Sequence, residues 1–96
     1  MTGRPNPLAM GARAGADGRG SRYTVVLRVA EFQRAARRSA LSSDYVLAPA
    51  MGVHRSTVSR VLTGEIRPGA AFIAGALVAF APLAVQFEDL FEVVEE

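Results

Sequence analysis

The 96-residue chain contains no cysteine, which excludes a disulfide framework and a cysteine-based zinc site. Its one histidine, His54, lacks the neighbouring ligands that a metal site would need. His54, Asp44 and Ser56 are not set in any nucleophile motif, and the sequence has no glycine loop of the kind that binds phosphate. We therefore expect no enzymatic activity, no metal, no cofactor and no small-molecule ligand.

No apolar segment has the features of a signal peptide or a membrane-spanning helix. Residues 1–15 contain no apolar run that could form the core of a signal peptide, and the lack of cysteine fits a reducing compartment, so we expect a cytoplasmic protein. Residues 68–85 carry no charge, but the helical part is too short to span a bilayer and includes Gly75 and many alanines. We expect a buried core helix there, whose exposed strip could mediate dimerisation, and no membrane partner.

Lysine is absent, so all 11 basic side chains are arginines. The net charge of +2 is unevenly distributed along the chain. Residues 1–67 hold every arginine and four acidic residues, a net charge of +7, whereas residues 68–96 hold five acidic residues, a net charge of −5. The basic part suits a surface that binds a polyanion such as nucleic acid, and arginine can bond bidentately to guanine or phosphate. Solvated charges without a partner are the alternative.

Residues 1–21 combine glycine, proline, alanine and serine with scattered arginines and show no apolar period. Such a segment cannot offset the entropy lost on ordering, so we predict a flexible arm. Its arginines, Arg4, Arg13 and Arg19, could lie along a nucleic-acid backbone or in a minor groove, although an inert tail is the favoured interpretation.

The two ends of the remaining chain read as short strands. Residues 23–27, YTVVL, and residues 91–95, FEVVE, alternate apolar and polar positions and are rich in valine. We predict that they pair antiparallel as a small ribbon packed on helices, either within one chain or by exchange between two chains of a dimer. The competing interpretation is a single helix over residues 24–38.

Three further segments have helical patterns. Residues 29–40 place apolar side chains on one helical face. Residues 70–81 form an apolar helix that Pro82 ends, with large side chains at Phe72, Ile73, Leu77 and Phe80, and a short helical turn is predicted around residues 87–91. The predicted buried face of the first helix consists of Val29, Phe32, Ala36 and Ala40.

Residues 44–64, DYVLAPAMGVHRSTVSRVLTG, read as two short helices around a glycine turn. Good N-cap residues precede and open the first helix, predicted over residues 44–51, in which Pro49 should cause a kink or a late start. In the second helix the apolar residues Val58, Val61 and Leu62 share one face, which leaves the hydroxyls and arginines on the other.

This segment resembles the helix-turn-helix of the Cro/repressor-like family of bacterial and phage transcription regulators, also called the xenobiotic-response-element (XRE) family. The small residue of the first helix, the turn glycine, the apolar positions of the turn and second helix, and the closing glycine all agree in register. These positions are Ala48, Gly52, Val53, Val58, Val61 and Gly64. Two residues depart from the pattern: Pro49 lies inside the first helix, and His54 replaces the usual Ser or Thr N-cap.

The resemblance implies a mainly α-helical, compact repressor-like bundle of four to five helices over residues 22–96, with the predicted ribbon as an addition. The second helix would lie in the major groove of DNA as the recognition helix. It implies base reading by Arg55, Ser56 and Arg60. It implies contacts to the DNA backbone from Ser43, Tyr45, Thr57, Ser59 and Arg67. Capping or plain solvent exposure is the alternative for the serines.

The function that follows is sequence-specific binding of double-stranded DNA by a transcriptional regulator. We expect a homodimer that binds a two-fold-related site and represses transcription by occupying a promoter. The alternative is a protein-interaction module on the same fold, an antitoxin-like or scaffolding partner. In that case the apolar helix at residues 70–81 or the terminal strands would bind the partner.

Overall fold

The computed structural model of the protein describes residues 22–96, so the arm predicted at residues 1–21 lies outside the described residues. Residues 22–96 form five α-helices, one 3₁₀ turn and a two-stranded sheet. In chain order these elements are β1 (Tyr23–Leu27), α1 (Val29–Arg38), α2 (Asp44–Met51), α3 (Arg55–Leu62), α4 (Ala70–Ala79), the 3₁₀ turn (Ala81–Leu83), α5 (Phe87–Leu90) and β2 (Phe91–Glu95). The prediction of a mainly α-helical bundle with a ribbon made by the two ends is confirmed.

The ribbon joins the two ends of the domain within one chain. Strands β1 and β2 pair antiparallel, with Leu27 opposite Phe91 and Tyr23 opposite Glu95, so the competing single helix over residues 24–38 is wrong. The core holds the ribbon at the end where Phe91 is buried, and Leu27 and Val25 pack against the buried cluster. Tyr23, at the other end, is 60% exposed, and Val93, in the middle of β2, is 58% exposed.

A cluster of phenylalanine rings forms the centre of the core and joins α1, α4 and β2. The Phe32 ring stacks on Phe72 at a centroid distance of 5.6 Å and meets Phe80 edge-on at 5.4 Å. Phe91, the first residue of β2, meets Phe72 edge-on at 6.3 Å. Aromatic rings provide much apolar area per residue, which allows a chain of this size to form a single core.

Helix α1 is shorter than predicted. It ends at Arg38, because Ala40 adopts a left-handed conformation with φ of 59° and turns the chain away. The amide of Leu41 then donates to the carbonyl of Ala36 at 2.7 Å. The predicted buried face is therefore partly wrong: Ala40 is exposed beyond the helix end, Val29 is 36% exposed, and the buried positions are Phe32, Ala35 and Ala36.

The remaining helix boundaries lie close to those predicted. Helix α2 begins at Asp44, because the hydroxyl of Ser43 caps it, so the predicted late start is wrong although Pro49 lies inside the helix. Helix α4 ends at Ala79, two residues before the predicted end, and Pro82 falls in the 3₁₀ turn. Among the helices of residues 22–96, none is long and apolar enough to cross a membrane.

Helices α2 and α4 approach each other so closely that residue 75 must be glycine. A Cβ atom built on Gly75 would lie 2.1 Å from the carbonyl oxygen of Met51 and 3.0 Å from its carbonyl carbon. Real Cβ atoms do not approach backbone atoms so closely, and Met51 is the last residue of α2. The absence of a side chain at residue 75 therefore allows the last residue of α2 to pack directly against α4. The turn that follows starts from this position.

We expect Gly75→Ala to lower the free energy of unfolding by about 2 kcal/mol or more, because the methyl group must push backbone atoms apart. This loss should exceed the gain of about 1 kcal/mol that alanine brings to a helix interior. Denaturant unfolding followed by circular dichroism measures the change. The matched control is Gly69→Ala, where a Cβ meets nothing within 4 Å, so the change should stay below about 1 kcal/mol. Equal stability of the two variants would contradict the close contact.

Candidate nucleic-acid interface

Helices α2 and α3 are joined by a three-residue turn that glycine makes possible. Gly52 has φ of +74°, a left-handed conformation that residues with a side chain rarely adopt. Its amide donates to the carbonyl of Pro49 at 3.1 Å, and the amide of Val53 donates to the carbonyl of Ala48 at 3.0 Å. This is the paired hydrogen-bond pattern of a Schellman C-cap, which ends α2 and redirects the chain into α3 within three residues.

The residues that the motif assigns to structure are packed together in the core. Ala48 of α2 and both Val58 and Val61 of α3 are buried, and Val53 packs against the buried cluster from the turn. A second Schellman pattern closes α3, since Gly64 has φ of +82° and its amide donates to Val61. The two helices are thus each closed by a glycine-dependent cap and packed on the core through small and apolar side chains.

Helix α3 has one buried face and one exposed polar face. At about 100° of rotation per residue, the exposed side chains occupy a continuous arc of roughly 140°. These exposed residues, which we call the α3 polar face, are Arg55, Ser56, Ser59, Arg60 and Thr63. The structure thus brings together the three predicted base-reading residues and the predicted backbone contact Ser59.

Thr57 lies on the other side of α3. It is half-buried and lines a small apolar cavity with Val53, Ile66 and Phe72, so its hydroxyl is not part of the α3 polar face. The predicted DNA-backbone contact of Thr57 would have to be made from the rim of that cavity. His54 is exposed at the N-cap position and makes no side-chain capping bond.

The first turn of α2 lies beside the start of α3. The hydroxyl of Ser43 accepts a hydrogen bond from the amide of Tyr45 at 3.1 Å, which caps α2. The Tyr45 side chain is 71% exposed, and the guanidinium carbon Cζ of Arg55 lies over its ring, 4.0 Å from the centroid. A cation–π contact at an exposed site contributes about 0.5–1 kcal/mol. Tyr45 of α2 is therefore in contact with Arg55 of the α3 polar face.

The two arginines of α3 have different neighbours. The Nε atom of Arg60 lies 3.8 Å from Oε2 of Glu65, a residue that the Gly64 turn folds back toward α3. Arg55 takes part in none of the ion pairs found within residues 22–96. Arg67, a predicted backbone contact, lies 3.6 Å from Glu96 and is therefore directed toward the C-terminal end of β2 rather than toward the α3 polar face.

Folding removes much of the charge asymmetry seen along the sequence. Arginines of the basic part pair with carboxylates of the acidic part, as in Arg22 with Glu95 and Arg28 with Glu92. Residues 22–96 hold eight arginines and eight acidic residues, so their net charge is zero, and the excess of +2 belongs to residues 1–21. Positive charge at the candidate interface is therefore local, in Arg55 and Arg60, and does not arise from a whole basic half.

Sequence reasoning missed two contacts that shape this interface, the Tyr45 ring under Arg55 and the Glu65 carboxylate near Arg60. Both arise where a glycine turn reverses the chain, so helical spacing alone does not reveal them. The glycines indicated where the turns lie, but the sequence did not indicate in which direction the side chains point after each turn. No three His, Asp or Glu side chains within residues 22–96 form a group that could hold a metal ion.

Compared with protein-family models, with curated proteins and with solved structures, the chain matches none. The resemblance to the Cro/repressor-like family therefore depends on the register of six motif residues and on the packing described above.

We expect Ser43→Ala to lower the free energy of unfolding by about 1 kcal/mol, because the amide of Tyr45 loses its capping acceptor. Thermal unfolding followed by circular dichroism measures this effect. Ser42→Ala is the matched control, since Ser42 is also exposed and Ser43 supplies the cap. A Ser43→Ala protein as stable as the Ser42→Ala protein would show that the hydroxyl does not cap α2.

Proposed function

We propose that the protein binds double-stranded DNA sequence-specifically through the α3 polar face and acts as a transcriptional regulator of the Cro/repressor-like type. The observation that carries this proposal is the division of α3 into a side with buried valines and an exposed face of arginines and hydroxyls. A helix held to the core along one side presents its other side as a rigid unit, as recognition of base edges requires.

The dimensions and chemistry of the α3 polar face suit a major groove. A groove about 12 Å wide admits an α-helix, and arginine can donate two hydrogen bonds to guanine while serine can bond to several bases. In this arrangement Arg55, Ser56 and Arg60 read bases. Ser59 lies between Arg55 and Ser56 around α3, and Ser43 lies at the start of α2 beside Tyr45. Their hydroxyls can contact phosphates and set the register of the protein on the duplex.

The regulatory part of the proposal follows from occupancy. A protein bound across a promoter excludes RNA polymerase, so repression needs no further activity of the protein. A regulator of this type acts in the cytoplasm. A homodimer would read a two-fold-related site, in which each protomer places one α3 in successive turns of the groove. Apolar side chains available for such an interface include Val78, which is 70% exposed on α4, and Val93 on β2.

The same exposed apolar residues favour the second candidate function, a protein-interaction module of the antitoxin-like or scaffolding kind. In that case a protein partner would cover Val78 or Val93, and the α3 polar face would be an ordinary solvated surface. The two functions differ in whether the protein binds a duplex at low salt.

Arg55→Ala and Arg60→Ala should each reduce the preference for a selected duplex over a scrambled one by about 1–3 kcal/mol, because each removes a base contact. The measurement is selection of bound fragments from a random-sequence duplex pool, followed by titration of the selected and scrambled duplexes at several salt concentrations. Arg34→Ala is the control, because Arg34 pairs with Glu31 on α1 and should not affect discrimination.

Unchanged discrimination in both α3 variants would overturn the assignment of base readers. Absence of binding to any duplex at low salt would overturn the DNA-binding proposal and favour the protein-interaction module.

Glu65→Gln should strengthen binding to selected and scrambled duplexes alike by about two- to tenfold, because it removes a negative charge beside Arg60 that repels the DNA polyanion. Stability should change by less than about 1 kcal/mol, since the Arg60–Glu65 pair is exposed. Fluorescence anisotropy at low salt measures the affinity. The control is Glu31→Gln, which also removes a paired carboxylate but lies on α1. An equal gain in both variants would mean that overall charge, and not Glu65, limits binding.

A further inference from the structure

The contact between Tyr45 and Arg55 differs from the other arginine contacts of the domain. Each of Arg22, Arg28, Arg34, Arg60 and Arg67 lies within 4.0 Å of a carboxylate oxygen. Arg55 instead lies over an aromatic ring, with Cζ 4.0 Å from the ring centroid. A carboxylate both neutralises a guanidinium and accepts its N–H groups, whereas a ring face attracts the cation without taking a strong hydrogen bond from it. Arg55 therefore keeps its charge and its donors available.

We propose that Tyr45 is a positioning residue that holds the Arg55 guanidinium in place to read a guanine in the DNA site. This inference rests on the proposed function and assigns a ligand group to one of its residues. It also gives Tyr45 a role that differs from the phosphate contact implied by the family resemblance, because the ring and not the hydroxyl performs it.

The ring itself is held in place by the backbone. Tyr45 is the second residue of α2, and its amide is bonded to the capping hydroxyl of Ser43. Arg55 is the first residue of α3, directly after the turn that the left-handed Gly52 makes. The close contact at Gly75 fixes the end of α2 from which this turn starts. Tyr45 thus stands on a capped helix start, and Arg55 begins a helix whose valines are buried in the core.

An arginine restrained before binding loses less side-chain entropy when it binds. The free side chain has many rotamers, and immobilising such a chain opposes association. Stacking on Tyr45 restricts those rotamers in the unbound protein, as preorganisation of a contact requires. The five N–H donors of Arg55 remain available, and guanine offers two acceptors, O6 and N7, at the spacing of a bidentate guanidinium contact.

The test uses the full chain and a random-sequence duplex pool, from which bound fragments are selected for the wild type. The affinity for the selected duplex is then compared with that for duplexes in which single guanines are replaced by adenine or by 7-deazaguanine, which lacks the N7 acceptor. The variants are Arg55→Ala, Tyr45→Ala and Tyr45→Phe. In the unbound protein, NMR records the side-chain protons of Arg55, which the ring current of Tyr45 should shift upfield.

We expect one guanine position at which Arg55→Ala abolishes discrimination. At that position Tyr45→Ala should lower discrimination by about two- to fivefold, while Tyr45→Phe should match the wild type because it keeps the ring. The Arg55 protons should lose their upfield shift in Tyr45→Ala and retain it in Tyr45→Phe. Affinity for scrambled duplex should not change, which separates positioning from a general structural role.

Several results would overturn the inference while leaving the proposed function intact. One is full guanine discrimination in Tyr45→Ala. Another is a loss of affinity for all duplexes in Tyr45→Phe, which would make the hydroxyl a phosphate contact. Failure to enrich any duplex from the pool would overturn the proposed function and this inference together.

Discussion

The contact between Gly75 of α4 and the carbonyl of Met51 is the constraint on which the geometry of the candidate interface depends. Met51 is the last residue of α2, and Gly52 begins the turn into α3 directly after it. On the same helix as Gly75, Phe72 and Ala76 are buried in the core. Helix α4 therefore connects the aromatic core to the end of α2, and any change in their separation would move the turn and the first residues of α3.

This arrangement explains how so small a domain can present a rigid polar helix. Val58 and Val61 attach α3 to the core along one side, and glycine-dependent Schellman caps at residues 52 and 64 define the ends of α2 and α3. The ribbon and its ion pairs hold the two ends of the domain together on the outside. On α3, Arg55 lies over the aromatic ring of Tyr45, and Arg60 lies beside the carboxylate of Glu65. The two arginines of α3 therefore have different electrostatic surroundings.

Local signals predicted much of this fold. Serine and aspartate at the start of α2, glycine after each motif helix, and valine-rich ends led to nearly correct boundaries and to the pairing of residues 23–27 with residues 91–95. The end of α1 was missed because Ala40, a residue with a side chain, adopts a left-handed conformation. Other features were missed because they depend on residues distant in sequence. The steric need for glycine at residue 75 and the pairing of Arg67 with Glu96 are tertiary effects that no local period contains. Helical register placed Arg55, Ser56, Ser59 and Arg60 on one face of α3, but it did not reveal the neighbours of the two arginines.

The central claim is that the α3 polar face is the surface that meets DNA. It is tested most directly by recording amide chemical shifts of the full chain while a random-sequence duplex pool is added at low salt. The account predicts that the shifts move at residues 43–45 and at Arg55, Ser56, Ser59 and Arg60, while those of α1 and the ribbon stay in place. Shifts that move chiefly on α4 around Val78 or on β2 around Val93, or no movement at all, would contradict it.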